Sequence, residues 1–381
     1  MASSRRSFLR TLGAGAAAGT AVQWPFSGLA SGSGFEPTRP AQPDGAIHLN
    51  NNENVYGPSE KTVDAIRAAA GTANRYPFRS CDELTERIAG FHGVKPEQVI
   101  LGCGSTEILR VTAQAFLGGG KTLLQTSPTF EAIERYAQST GAEVLSLPLT
   151  HQYGHDLQGM LERANASATL VYICNPNNPT ATLTPRKDLE DFIAKLPPTT
   201  FVLIDEAYHH YAGVSAMYAS FLDRPVHDER VIVSRTFSKV YGMAGLRLGY
   251  GIASPETAQR IRPFSTRDNA NGIAARAAMT ALDDQEAVKE FVRRNDDDRQ
   301  EFYNQCHARM LRPIDSHANF VMMDTHRPAK QIIEHFRQHN VLIGRRFPAM
   351  DSHIRVSLGT PPEMLEFWRV WDLLPHVEMS M

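Results

Sequence analysis

The sequence predicts an α/β protein: a large body on a mainly parallel sheet flanked by helices, with a smaller α+β domain built from both ends of the chain. Three observations carry this. Short apolar runs alternate with amphipathic segments, the pattern of parallel strands joined by helical crossovers. The clearest runs, Phe201 to Ile204 and Val231 to Val233, each lead into a polar cluster, and ligands of such sheets bind beyond the carboxyl ends of the strands. From about Ser254 the texture changes to long charged helical stretches such as Gln285 to Phe302.

Taken in order, residues 1–30 differ in kind from the rest. Arg5-Arg6 and Arg10 precede an uncharged Gly/Ala-rich run, Thr11 to Val22, and a small-residue end, Ser27-Gly28-Leu29-Ala30. The arrangement resembles a twin-arginine export signal, which implies a periplasmic protein. Its removal deletes three arginines and no acids, taking the formal charge from −2 to −2 − 3 = −5. Thr11 to Val22 falls short of the roughly 20 apolar residues a membrane span requires. Residues 31–75 read as the N-terminal part of the small domain, 76–265 as the large domain and 266–381 as the rest of the small one. Within the large domain the pattern predicts strands at 99–101, 122–125, 144–147, 169–173, 201–204 and 231–233. Helices are predicted at 105–116, 129–139 and 185–195, the last with Thr184 as N-cap and Pro185 in the first turn. A late strand pair is expected near 319–323 and 353–357. No internal repeat is evident.

Composition narrows the class. With 381 residues, 42% hydrophobic and 21% charged, the chain has the balance of an ordinary globular protein. No basic excess points to nucleic acid. Cys81, Cys103, Cys174 and Cys306 are far apart and form no CxxC pair, so neither a metal site nor a disulfide framework is signalled.

Four clusters carry chemistry together. Gly102-Cys-Gly-Ser-Thr-Glu107 is a Gly-rich turn opening a helix, where Gly104, Ser105 and Thr106 could hold a phosphate on backbone N–H groups; its plain alternative is a tight strand-to-helix connection. Asp205, in Asp205-Glu-Ala-Tyr208, ends an apolar strand, where a carboxylate needs a cation such as a protonated pyridine nitrogen; the alternative is a helix N-cap. Lys239, in Thr236-Phe-Ser-Lys239, sits in a turn after another strand with Arg247 eight residues on. An amine whose charged form is disfavoured there condenses with an aldehyde, although any lysine taken alone is by default a solvated one. With the amide-rich Asn175-Pro-Asn-Asn-Pro-Thr180, these parts are the set that pyridoxal 5'-phosphate requires.

The same residues resemble fold-type-I class I/II aminotransferases, and among them the histidinol-phosphate aminotransferase group. Further matches are Leu49-Asn-Asn-Asn-Glu-Asn-Val-Tyr-Gly-Pro-Ser59, Arg75-Tyr-Pro77, Ala244-Gly-Leu-Arg-Leu-Gly-Tyr250 and Ile354-Arg-Val-Ser-Leu-Gly-Thr360. The resemblance implies that Lys239 forms the Schiff base with the cofactor, and that Asp205 pairs with the ring nitrogen. It places Asn178 and Tyr208 on the ring hydroxyl, and Ser105, Thr106, Ser238 and Arg247, with Thr236 nearby, on the phosphate. Phe130 is expected to stack on the ring, or else to be a core aromatic. Tyr76 is expected to reach the phosphate of a neighbouring subunit, which implies a homodimer. Arg355 is expected to clamp the substrate's anionic group, with Arg345 or Arg346 as a second anion contact and Tyr56 on the substrate side. Ala181 stands where glycine is usual, Val55 where proline is usual and Thr106 where aspartate is common. The reaction implied is amino transfer between an amino acid, or histidinol phosphate, and a 2-oxo acid. Racemisation, decarboxylation or β-elimination on the same scaffold, and a non-catalytic periplasmic binding protein, are the alternatives.

Overall fold

Burial on both faces organises the central sheet. In a computed structural model, residues 45–375 are described, apart from 214–216, 224–227 and 267; the export-signal reading of residues 1–30 lies outside the described residues. The strands are β1 (Ile47–Leu49), β2 (Val99–Gly102), β3 (Thr122–Ser127), β4 (Glu143–Pro148), β5 (Leu170–Cys174), β6 (Phe201–Asp205), β7 (Val231–Thr236), β8 (Gly249–Ile252), β9 (Arg312–Pro313), β10 (Phe320–Asp324), β11 (Val341–Ile343) and β12 (His353–Ser357). Seven of them form one sheet in the order β2-β8-β7-β6-β5-β3-β4. All pairings are parallel except those of β8, which runs antiparallel to both β2 and β7.

Successive side chains on β5 and β6 enter opposite apolar layers. Val171, Ile173, Val202 and Ile204 pack into one layer with Leu189 and Phe192, while Leu170, Tyr172, Cys174 and Leu203 pack into the other with Ile108, Phe116 and Ile133. Strands covered on both faces read as continuous apolar runs, and each fully buried aliphatic side chain contributes about 1.5–3 kcal/mol.

Two predicted helix starts are displaced. The helix predicted from Thr129 begins at Ala132, because Thr129 Oγ1 donates to Asn177 Oδ1 at 2.8 Å instead of entering a helical turn. The helix expected from Pro185 begins at Arg186, with Pro185 in the cap position. Thr184 is not the cap: its hydroxyl lies 2.6 Å from His155 Nδ1, and its backbone pairs with the Asn175 side chain. The helix predicted from Gln285 runs on to Ala308.

The remaining strands form two small sheets. β10 pairs antiparallel with β12 and β9, and β1 pairs parallel with β11. Phe302, Phe336, Phe367 and Trp368 pack among them. The helix Pro361–Trp371 starts on a capping box in which Thr360 N–H donates to Glu363 Oε2 at 2.8 Å. The β1–β11 pairing fixes where residues 50–56 run, and β12 carries Arg355 and Ser357. Both segments border the site described next. No helix among the described residues is long and apolar enough to cross a membrane.

Candidate active site

The carboxyl ends of β5, β6 and β7 converge on a cavity of about 240 Å³. Of the residues singled out from the sequence, Ser105, Thr106, Phe130, Asn178, Asp205, Tyr208, Thr236, Ser238, Lys239 and Arg247 all line it. A larger open groove of about 530 Å³, beside Thr150, His155, Asp188 and Met217, contains none of these clusters. Convergent ionisable groups, not size, mark the smaller cavity as the site.

At one end, Gly104 caps the helix Ser105–Phe116 with φ of +73°, a conformation open to glycine at little cost. A Cβ there would also collide with the Arg247 guanidinium. Arg247 Nη1 donates to Ser238 Oγ at 3.3 Å and to the Ala244 carbonyl at 3.0 Å. Ser238 is linked to Thr236 Oγ1 at 3.0 Å. A helix N-terminus, two hydroxyls and a guanidinium thus face one point, a setting for a dianionic phosphate.

Asp205, only 2% exposed, forms the floor. It does not cap a helix; the next helical turn, His209–Ala212, begins after Tyr208. Its Oδ2 accepts from Tyr172 Oη at 3.0 Å and its Oδ1 from the Ala207 N–H at 3.2 Å. Burial pushes its pKa up to about 6, against the lowering effect of those bonds. Beneath it, Glu206 and Arg235 are 1% and 2% exposed and form an ion pair at 2.8 Å. Ser220 Oγ and the Phe221 N–H also donate to Glu206, at 2.7 and 2.8 Å. This network ties β6, β7 and the 220–221 loop together.

Lys239 Nζ donates to the carbonyls of Asn52 (2.8 Å) and Asn51 (3.2 Å). Burial first, and the positive charges of Arg355 and Arg247 second, pull its pKa down to about 7, while Glu53 opposes them. A lysine in this state is in substantial part a neutral nucleophile at neutral pH. Tyr208 Oη accepts from Asn52 Nδ2 at 3.1 Å, and burial raises its pKa. Asn52, in the left-handed region at φ of +55°, also exchanges hydrogen bonds with Ser357.

Beside the cavity-lining Asn178, Arg355 donates to Asn178 Oδ1 at 2.8 Å and to the Asn50 carbonyl at 2.7 Å. Its Nε is enclosed without a partner. Both acceptors are neutral, so the guanidinium charge is left for an external anion.

Tyr56, Arg345, Arg346 and Tyr76 do not line the cavity. The Tyr56 hydroxyl donates to Asp298 Oδ2 at 2.8 Å on the helix Gln285–Ala308, with the Arg294 guanidinium 5.1 Å from its ring centre. That half-buried carboxyl anchors the phenol. Arg345 lies beyond the lining, paired with Glu131 at 2.5 Å and stacked 4.2 Å over the Phe347 ring, which Arg355 also approaches at 5.4 Å. Arg346 instead pairs with Asp351. Tyr76 is 77% exposed, stacked on Phe78, and touches none of the cavity within its own subunit. The sequence matched Asn50 to Glu53 only as part of the Leu49 to Ser59 motif, with no role assigned to them, and gave no place to Tyr172. Among the described residues no group of three or more His, Cys, Asp or Glu could hold a metal.

Comparison with known proteins gives the same answer as the geometry. The family described as Aminotransferase class I and II matches residues 44–369. The chain belongs to this family. Among relatives of this aminotransferase, Histidinol-phosphate aminotransferase 2 of Carboxydothermus hydrogenoformans is 36% identical, the match covering 84% of this chain and 88% of that one. Histidinol-phosphate aminotransferase of Moorella thermoacetica is 34% identical over 82% of this chain and 81% of its own. The structure of histidinol-phosphate aminotransferase from Sinorhizobium meliloti, in complex with pyridoxal-5'-phosphate, superimposes with a TM-score of 0.81 at 26% identity, covering 91% of this chain and 100% of that one.

Proposed function

We infer that this aminotransferase uses pyridoxal phosphate to move an amino group from an α-amino acid to a 2-oxo acid, with Arg355 receiving the substrate carboxylate. The observation that carries this reading is Lys239, its pKa drawn down to about 7, in one cavity with the floor carboxylate Asp205 and under the field of the charge-unpaired Arg355. The residues present fit the cofactor: the cradle at Gly104, which has no room for a Cβ, suits its phosphate, and the buried Asp205 suits its ring nitrogen. When bound, pyridoxal phosphate supplies an aldehyde and an electron-accepting ring. Lys239 supplies the neutral amine that captures the aldehyde and later moves a proton from the substrate Cα. Asp205 holds the proton on the ring nitrogen, Tyr208 and Asn178 address the ring hydroxyl, and Phe130 covers the ring. The N-terminus at Ser105 and Thr106, with Thr236, Ser238 and Arg247, holds the phosphate.

Arg345, the arginine beside Phe347, is the second anion contact for substrates with a distal negative charge, which it takes by exchanging Glu131 for it. The relatives' names suggest histidinol phosphate as a donor. Export would separate the enzyme from cytoplasmic biosynthesis, which favours an amino acid instead. A panel of amino acids and histidinol phosphate, each assayed against one 2-oxo acid, tests this. The expected result is that amino acids with a free α-carboxylate give the highest kcat/KM; histidinol phosphate as the sole donor used would overturn it.

Export and assembly belong to the same reading. The Arg5-Arg6 pair and the small-residue run after it support passage through the twin-arginine route to the periplasm, which fractionation of cells making the full chain tests. The exposed, stacked Tyr76 and Phe78 support a homodimer in which Tyr76 completes the partner's phosphate site. A monomer by sedimentation, with full cofactor affinity, would overturn that. Division into a large domain (76–265) and a small one (31–75 with 266–381) is supported by the pairing of β1 with β11.

A further inference from the structure

Asp205 does not stand alone on its face of the sheet. β5 and β6 are parallel, with Tyr172 beside Leu203 and Cys174 beside Asp205. Tyr172 therefore shares the face of Asp205, one residue pair back from the cavity. Its phenol is 1% exposed, lies in an apolar layer with Ile108 and Leu203, and donates to Asp205 Oδ2 at 3.0 Å. Packing does not account for the hydroxyl, since phenylalanine would fill the same volume without the cost of burying a polar group. With only the Ala207 N–H on Oδ1, the carboxylate could turn about its Cβ–Cγ bond. The phenol fixes its plane and stabilises the anion, the form that a protonated ring nitrogen requires.

We propose that Tyr172 is a positioning residue: it holds Asp205 as an oriented anion for the ring nitrogen of the cofactor. This rests on the reading that assigns Asp205 to that nitrogen. Tyr172 does not line the cavity, and it lies outside every motif that marks the site in the sequence.

The test uses Tyr172→Phe, which deletes one oxygen and keeps the ring. Cofactor-free full-length wild type and variant are each titrated with pyridoxal phosphate and with its 1-deaza analogue, in which C–H replaces the ring nitrogen. Wild type is expected to prefer the natural cofactor. In the variant, affinity for pyridoxal phosphate should fall about tenfold, the scale of one hydrogen bond to a charged group, while affinity for the deaza analogue stays the same. Equal losses for both ligands would mean that Tyr172 only supports packing, and no loss for either would mean that its hydroxyl is idle; each overturns the proposal. A wild type without preference between the ligands would remove the Asp205 reading itself, and the proposal with it.

Discussion

The floor of the cavity and its rim are held in different ways. On the floor, Asp205 takes bonds from Tyr172 and Ala207, while Glu206 is locked against Arg235, Ser220 and Phe221. At the rim, Lys239 and Arg355 rest on backbone carbonyls of Asn50, Asn51 and Asn52, and Arg345 rests on the half-exposed Glu131. The floor is a buried network in which each charge is oriented by hydrogen bonds or by an opposite charge. The rim holds its cations with neutral or solvent-screened partners that a substrate can displace at small cost. The cofactor is thereby bound to a fixed frame, and substrate choice is left to the part that adjusts.

Substitutions break this contrast in a defined order. Lys239→Ala should lower turnover by about 10⁴-fold or more, because aldehyde capture and proton transfer are lost together; near-normal steady-state activity would refute its role. The pH dependence is signed. Since its pKa is lowered to about 7, the neutral amine becomes the major form above that pH. The rate at which cofactor-free protein captures pyridoxal phosphate should then rise with a midpoint near pH 7, whereas a midpoint near pH 10 would contradict the burial argument. Glu206→Ala strands the Arg235 charge and should destabilise the fold by about 3–5 kcal/mol in denaturant unfolding. Arg355→Ala acts on the rim. It should reduce kcat/KM for carboxylate donors by at least about a hundredfold while cofactor affinity changes little; release of cofactor instead would move Arg355 to the floor. Ala181→Gly tests the smallest effect. Ala181 is fully buried at φ of +61°, so relief of left-handed strain and loss of a buried methyl should offset to within about 1 kcal/mol.

Much of the cavity was legible in the sequence because its chemistry resides in side chains at strand ends and turns. Lys239, Asp205, Asn178, Tyr208 and Arg247 each stand in a short motif whose strand or turn could be recognised. The acceptors at the rim were not, because they are main-chain oxygens, which the identities of Asn50, Asn51 and Asn52 do not encode. Tyr56 was placed on the substrate side by its motif, yet the direction of its ring is set by Asp298, far along the chain. Tyr172 left a faint trace: a phenol within the apolar run Leu170 to Cys174, two residues before Cys174 on the same face. Thr184 misled in the opposite way. It is a good capping residue whose hydroxyl is already committed to His155.

The central claim is that floor and rim together carry out amino transfer, and a half-reaction tests it most directly. Holoenzyme given one amino acid and no 2-oxo acid should release one equivalent of keto acid per active site and then stop, resuming only when an acceptor is added. Continued product formation without an acceptor, as in racemisation, decarboxylation or elimination, would contradict it.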